Sequence, residues 1–327
     1  MNAAIGILGA GAWGTALAVA VSRAGHDVVL WGRDAAAIAA LRRTRENASL
    51  LPGVVLPETV EPVSAIAAAA LPVMIAAVPT QALAGVLARL EPTAPAGLAL
   101  IAAAKGIEQG SGRFVSEIIA DVLPSARPAI LSGPSFAADV GRGLPTAVTL
   151  AAGDEAFAAE LAALIGSAGF RIYHSADMRG VEIGGAAKNV LAIAAGIVAG
   201  AGLGESARAA TVTRGFAEMR RFAAALGARP ETLMGLSGLG DLMLSAASAQ
   251  SRNFAFGQAL GRGEPLGEAG HGKLAEGAFT APALVAKAAT RGVEMPLSAT
   301  VAAILDGRMQ VREAIATLTE RPQRAET

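Results

Sequence analysis

The chain has 327 residues, 53% hydrophobic and 17% charged, with 27 basic and 27 acidic side chains and a formal net charge of zero. That length suffices for two domains with separate cores, and the even charge balance argues against the basic field that a nucleic-acid partner requires. There is no cysteine for a disulfide framework or a thiolate metal site, and the three histidines (His26, His174, His271) are too scattered for a metal cluster.

Residues 4–8 read as a strand, followed at once by Gly9-Ala10-Gly11-Ala12-Trp13-Gly14 and then by a small-residue helical run from Thr15. In such a G-x-G-x-x-G turn one glycine permits the tight turn. Another admits a pyrophosphate to the backbone, and the third lets helix and strand pack closely. Gly25-His26-Asp27 ends the helix and residues 28–31 form the second strand, so a complete βαβ dinucleotide-binding unit is present. No basic leader precedes the first strand, which fits a cytoplasmic protein.

Alternation continues, with helices over 34–44, 65–70, 81–90 and 114–123 and buried strands over 73–77, 98–102 and 129–131. Residues 146–150 and 171–174 are further strand candidates. This order predicts an α/β, Rossmann-type doubly wound parallel sheet whose ligands lie beyond the carboxyl ends of the strands. From about Asp177 no strand is evident; helices are predicted over 181–201, 207–226, 252–260, 281–291 and 309–318. The organisation is therefore a dinucleotide-binding domain over 1–179 and an all-α substrate domain over 180–327. The longest apolar run, 190–204, is short and glycine-rich, so it reads as a buried helix and not as a membrane span. Residues 321–327 read as a frayed tail.

Several side chains carry candidate chemistry. Lys105 follows a buried strand, as a cleft cation or a solvated loop lysine. Ser135, in Ser132-Gly133-Pro134-Ser135-Phe136, faces a ligand or caps the next helix. Lys188 sits in Gly184-Gly185-Ala186-Ala187-Lys188-Asn189-Val190-Leu191, apolar or tiny on almost every side. It is either a snorkelling structural lysine or a proton-transferring one whose pKa burial depresses. Asp241 closes the glycine-rich run 235–241 as a site carboxylate or a helix cap, and Ser251-Arg252-Asn253 groups donors suited to a phosphate.

With these motifs the chain resembles the bacterial NAD(P)-dependent glycerol-3-phosphate dehydrogenases nearly end to end. The most specific stretches are Val181-Glu182-Ile183-Gly184-Gly185-Ala186-Ala187-Lys188-Asn189, Gly238-Leu239-Gly240-Asp241 and Ser251-Arg252-Asn253. The resemblance implies reversible reduction of dihydroxyacetone phosphate to sn-glycerol 3-phosphate, which supplies phospholipid synthesis, with Lys188 as proton donor and acceptor. It implies substrate contacts from Lys105, Gly133, Ser135, Lys188, Asp241, Ser251, Arg252 and Asn253, with Asn189 a weaker candidate. For the cofactor it implies Trp13, Arg33, Lys105, Ala137, Arg252, Leu274 and Glu276, beside Gly9, Gly11 and Gly14 of the turn. Three departures from the family pattern stand out: Leu50 for an aromatic, Glu205-Ser206 for Asp-Asn, and Ser245-Ala246 for Thr-Cys.

The cofactor is expected to be NADPH or NADH, with NADPH favoured. The second strand ends Leu30-Trp31-Gly32-Arg33, which places glycine where an NAD-selective acid would stand and a cation beside it. Asp34 is the competing signal. Two other readings remain: a related two-domain dehydrogenase of a hydroxy acid or ketopantoate, and a dinucleotide sensor without turnover. A homodimer is left open as the assembly.

Overall fold

Along the central strands successive side chains enter two different cores, as the two-residue period of a strand requires. The computed structural model describes residues 3–270 and 275–319. Its sheet comprises β1 (Ala4–Leu8), β2 (Asp27–Trp31), β3 (Val60–Val63), β4 (Val73–Ala76), β5 (Ala99–Ala102), β6 (Arg127–Ser132), β7 (Thr146–Ala152) and β8 (Phe170–Ser175). They lie in the order β3-β2-β1-β4-β5-β6-β7-β8. Ile5, Ile7, Ile75, Ile101 and Leu131 enter one core, whereas Leu8, Met74, Ala76, Leu100 and Ile130 enter the other. The first core is covered by α1 (Ala12–Arg23), α2 (Ala35–Thr44), α5 (Ala137–Arg142) and α6 (Glu155–Ile165), the second by α3 (Thr80–Leu90) and α4 (Val115–Val122). The strand order reverses between β1 and β4, which opens a crevice beyond their carboxyl ends.

The alternation predicts a wholly parallel sheet; β7 corrects this. It runs antiparallel to β6, with Ser132 opposite Thr149, and β8 then pairs parallel to β7. The cause is the connection. α5 has six residues, about 9 Å of helix, against roughly 20 Å for the six residues of β6. So short a helix does not carry the chain back to the start of β6, and β7 begins from the same end.

Beyond β8 all regular structure is helical among the described residues. The elements are α7 (Met178–Gly200), α8 (Glu205–Ala225), α9 (Pro230–Met234), α10 (Asp241–Ala247), α11 (Arg252–Gly261), α12 (Glu276–Ala289), α13 (Pro296–Leu305) and α14 (Val311–Thr319), with a π-helical turn over Leu236–Gly240 before α10. α7 is the axis of this half, buried from Gly180 to Ile197. It is long and apolar enough to cross a membrane, but 83% of its most apolar window is buried inside the protein. α11 lies directly on it. A Cβ at Gly196 would fall 2.1 Å from the carbonyl oxygen of Phe254, and one at Gly257 2.1 Å from that of Ile193. Only glycine allows these two backbones to touch.

Candidate active site

The glycine turn fits a pyrophosphate. Gly9 has φ +111°, and a Cβ at Gly14 would lie 1.8 Å from the Gly9 carbonyl oxygen, whereas nothing stands within 4 Å of one at Gly11. α1 has no side-chain cap and no acid in its first turn, so its leading N–H groups are uncommitted. The Trp13 indole nitrogen is buried without a partner among the described residues. Asn47, which sequence reasoning did not single out on its own account, braces the turn by donating to the Ala10 carbonyl at 3.0 Å and the Thr15 hydroxyl at 2.9 Å.

At the end of β2 a side chain on Gly32 would meet Ile38 at 2.6 Å. Asp34 is committed elsewhere, since its Oδ1 accepts from the N–H groups of Ala36 and Ala37 as the cap of α2. Arg33 is exposed and makes no hydrogen bond or ion pair among the described residues. Arg33 is therefore the charged side chain at this strand end that no protein contact holds among the described residues.

At the candidate chemical centre a carboxylate is held between two ammonium groups. Asp241, the first residue of α10, sets Oδ2 at 2.7 Å from Lys105 Nζ and Oδ1 at 3.1 Å from Lys188 Nζ. Lys188 Nζ also donates to Ser245 Oγ at 2.8 Å, and Ser245 Oγ donates to Asp241 Oδ1 at 3.2 Å. All three of Lys188, Asp241 and Ser245 are buried. An ammonium so placed needs a paired anion, because removing one partner from a buried pair typically costs about 3–5 kcal/mol. Burial lowers the pKa of Lys188 below that of a free lysine and Lys105 adds to the effect, while Asp241 opposes it. Burial raises Asp241, but the two lysines outweigh it and hold the carboxyl below its usual range. Asp241 thus stays ionised, and Lys188 holds its proton less tightly than a free lysine does.

Lys105 is consequently not a solvated loop residue, and Asp241 is not a cap. Ser135 does not cap α5 either: Phe136 holds that position without a side-chain bond, and Ser135 Oγ donates to the Gly133 carbonyl at 3.0 Å. The same carbonyl accepts from Lys105 Nζ at 3.0 Å. Hydrogen bonds therefore join Lys105, Gly133, Ser135, Lys188 and Asp241 into one cluster. Asn189 donates to the Lys105 carbonyl at 2.9 Å, and Asn253 donates to Asn189 at 2.9 Å. Ser251 caps α11, and Arg252 is exposed on its first turn with no ion pair among the described residues. Ala137 is half-buried at the start of α5, and Glu276, at the start of α12, accepts from the Thr80 N–H at 2.9 Å. Leu274 lies outside the described residues.

Ser245 was passed over as a site residue, although it stands four positions after Asp241 and so on the same helix face. The other departures are peripheral. Leu50 is exposed, and Glu205 pairs at the surface with Arg208, which donates to the Ala246 carbonyl at 2.8 Å.

A doubly wound sheet with an open phosphate-binding turn, and a lysine–carboxylate–lysine cluster that joins Lys105 of that half to the buried Asp241 and Lys188 of the helical half, define a nicotinamide-dinucleotide-dependent dehydrogenase. The chain belongs to the NAD-dependent glycerol-3-phosphate dehydrogenase family, whose N-terminal profile matches residues 4–158 and C-terminal profile residues 177–316. It is 59% identical over 325 residues to the glycerol-3-phosphate dehydrogenase [NAD(P)+] of Azorhizobium caulinodans, covering 98% of each chain. The crystal structure of glycerol-3-phosphate dehydrogenase from Coxiella burnetii superposes with TM-score 0.93 at 38% identity, over 98% of this chain and 99% of that one. A ketopantoate reductase from Ralstonia eutropha, at TM-score 0.59 and 18% identity over 96% of this chain and 100% of that one, shares the fold alone.

Proposed function

We propose that this chain catalyses the reversible reduction of dihydroxyacetone phosphate to sn-glycerol 3-phosphate, with NADPH preferred over NADH. The observation that carries the reading is the pair of ammonium groups, Lys188 and Lys105, sharing the one carboxylate of Asp241 in a buried site. The bound cofactor supplies the hydride that reduces the ketone carbon. Lys188 gives its proton to the ketone oxygen, and its lowered pKa suits it to release that proton and to recover it in the reverse direction. Lys105 stabilises the negative charge that develops on the same oxygen. Asp241 and Ser245 hold the Lys188 ammonium in place.

On this reading Arg252, Ser251 and Asn253 bind the substrate phosphate at the start of α11, and Gly133 and Ser135 line the substrate. Anchoring that remote group fixes the carbonyl, and positioning of this kind is worth several kcal/mol. Gly9, Gly11, Trp13 and Gly14 hold the pyrophosphate, Arg33 pairs with a 2′-phosphate, and Lys105, Ala137, Arg252, Leu274 and Glu276 complete the cofactor contacts. Residues 1–179 then act as the cofactor unit and 180–327 as the substrate unit, a division supported by the end of β8 at Ser175 and the start of α7 at Met178. The cysteine-free composition suits a cytoplasmic enzyme, whose product would enter glycerophospholipid synthesis. The test is loss of NADPH absorbance with dihydroxyacetone phosphate, beside ketopantoate and 2-oxo acids. Turnover of ketopantoate but not of the phosphorylated ketone would overturn the reading.

A further inference from the structure

Three hydrogen bonds run in one direction from the helical domain into the dinucleotide-binding domain. The Gly277 N–H donates to Asn253 Oδ1, Asn253 Nδ2 donates to Asn189 Oδ1, and Asn189 Nδ2 donates to the Lys105 carbonyl, each at 2.9 Å. The two ends are backbone groups, a donor at Gly277 and an acceptor at Lys105, so neither carboxamide can turn over without setting like poles together. Both asparagines are buried, and breaking any of these bonds leaves a polar group without water. Gly277 is seated directly on the chain of bonds: a Cβ there would fall 2.7 Å from the Asn189 carbonyl oxygen and 2.8 Å from Asn253 Oδ1.

The relay touches three functional regions. Asn253 directly follows Arg252. Lys105 is one of the two cations on Asp241. Gly277 directly follows Glu276, whose carboxylate receives the Thr80 N–H at the start of α3, across the crevice. Asn253 Oδ1 is engaged and one hydrogen of its Nδ2 is spent, so much of its role is exerted through position.

We propose that Asn189 is a positioning residue and that it and the phosphate-contacting Asn253 couple the start of α11 to the Lys105 loop and to Glu276, so that a phosphorylated substrate and the dinucleotide tighten each other's binding. This rests on the substrate and cofactor assignments made above. A phosphoryl group that orders Arg252 and Asn253 also orders Asn189, Lys105 and the first turn of α12. By linkage the tightening is reciprocal. An unphosphorylated ligand, having no group at α11, leaves the relay unloaded.

The test uses the full chain and the fluorescence of NADPH, titrated alone, with saturating sn-glycerol 3-phosphate, and with glycerol. Since both ligands are in the reduced state, no turnover intervenes. The phosphorylated ligand is expected to tighten NADPH about tenfold, a typical coupling between sites, and glycerol to leave it unchanged. Gly277→Ala removes no group assigned to either ligand, yet it should reduce the factor to about twofold or less. Asn189→Ala and Asn253→Ala should each do the same, with the double variant losing no more than either single one. A wild-type factor near one, variants that keep the wild-type factor, or additive losses in the double variant overturn the relay while NADPH binding and turnover leave the enzymatic reading standing. Failure of the wild-type chain to bind NADPH overturns both.

Discussion

Lys188 Nζ lies 3.1 Å from Asp241 Oδ1, while the other oxygen of that carboxylate takes Lys105 at 2.7 Å. One negative charge cannot fully offset two positive ones, and Lys188, the buried one of the two, is pushed toward neutrality. Asp241→Asn removes the charge that keeps Lys188 protonated, so its pKa should fall further. On the proposed mechanism Lys188 works as an acid in the reducing direction, so kcat/KM should decline as pH rises through its pKa. The alkaline limb of the profile should therefore move to lower pH in the variant. A limb that stays in place or moves upward contradicts the coupling.

Lys188→Ala should lower turnover by about 10²–10⁴, the usual effect of removing a positioned acid. Asp241 keeps Lys105 as its partner, so NADPH affinity measured by fluorescence titration should stay within about threefold of wild type. Retention of near-normal turnover would show that the proton comes from elsewhere.

Arg252→Ala should raise KM for dihydroxyacetone phosphate far more than for dihydroxyacetone. Loss of a guanidinium whose phosphate contact is desolvated when the substrate covers it costs about 2–5 kcal/mol. Equal increases for the two ketones would mean that Arg252 does not read the phosphate.

Arg33→Ala should move the ratio of kcat/KM for NADPH over NADH toward NADH. The motive is an exposed, unpaired guanidinium beside Gly32, with Asp34 already committed to α2. An unchanged ratio would remove Arg33 from cofactor choice.

Glu182 gives a stability prediction. Its buried carboxyl takes the Ser116 N–H at 2.7 Å and lies 3.2 Å from Arg179, which also pairs with Glu117; Lys287 holds the other oxygen of Glu117. Burial raises its pKa from 4.5 to about 7, against the opposing pull of Arg179 and Ser116. The folded state thus binds the extra proton, a contribution fully present below pH 4.5 and lost as pH rises through about 7. A shift of that size corresponds to something on the order of 3 kcal/mol. Glu182→Gln, which carries no charge, should gain in Tm relative to wild type between about pH 5 and pH 8. A Tm difference independent of pH would show that Glu182 does not titrate there.

The dinucleotide half was legible in the sequence because its signals are local: strand, glycine turn, helix and strand follow each other without a break. Lys188 stood out for the same reason, as a charge inside an apolar helix. What escaped depends on distant partners. β3 contains Pro62, tolerated because this is an edge strand with only β2 beside it. α13 begins at Pro296, and the N–H groups of Leu297 and Ser298 are satisfied by the Glu218 carboxylate at 2.6 and 3.1 Å, some 80 residues upstream in the chain. The predicted helix over 281–291 instead starts at Glu276, because Gly277 finds its acceptor on Asn253. The link from Lys188 to Ser245 spans 57 positions and that from Asn189 to Asn253 spans 64, beyond the reach of any local pattern.

The glycine contacts between α7 and α11 act as a ruler. Gly196 and Gly257 interlock at one level. At the next turn Gly200 lies against Gln258 and Gly261 against Ile197, so α11 cannot slide or rotate on α7 without driving backbone into backbone. The spacing from Lys188 to the start of α11 is therefore set by main chain and not by the size of the apolar side chains around it. A change of volume at Phe256, Met219 or Leu284, all buried in the helical core, is therefore expected to cost stability before it alters that spacing. Variation in that core is thereby decoupled from a distance that, on the proposed reading, matches the length of the substrate.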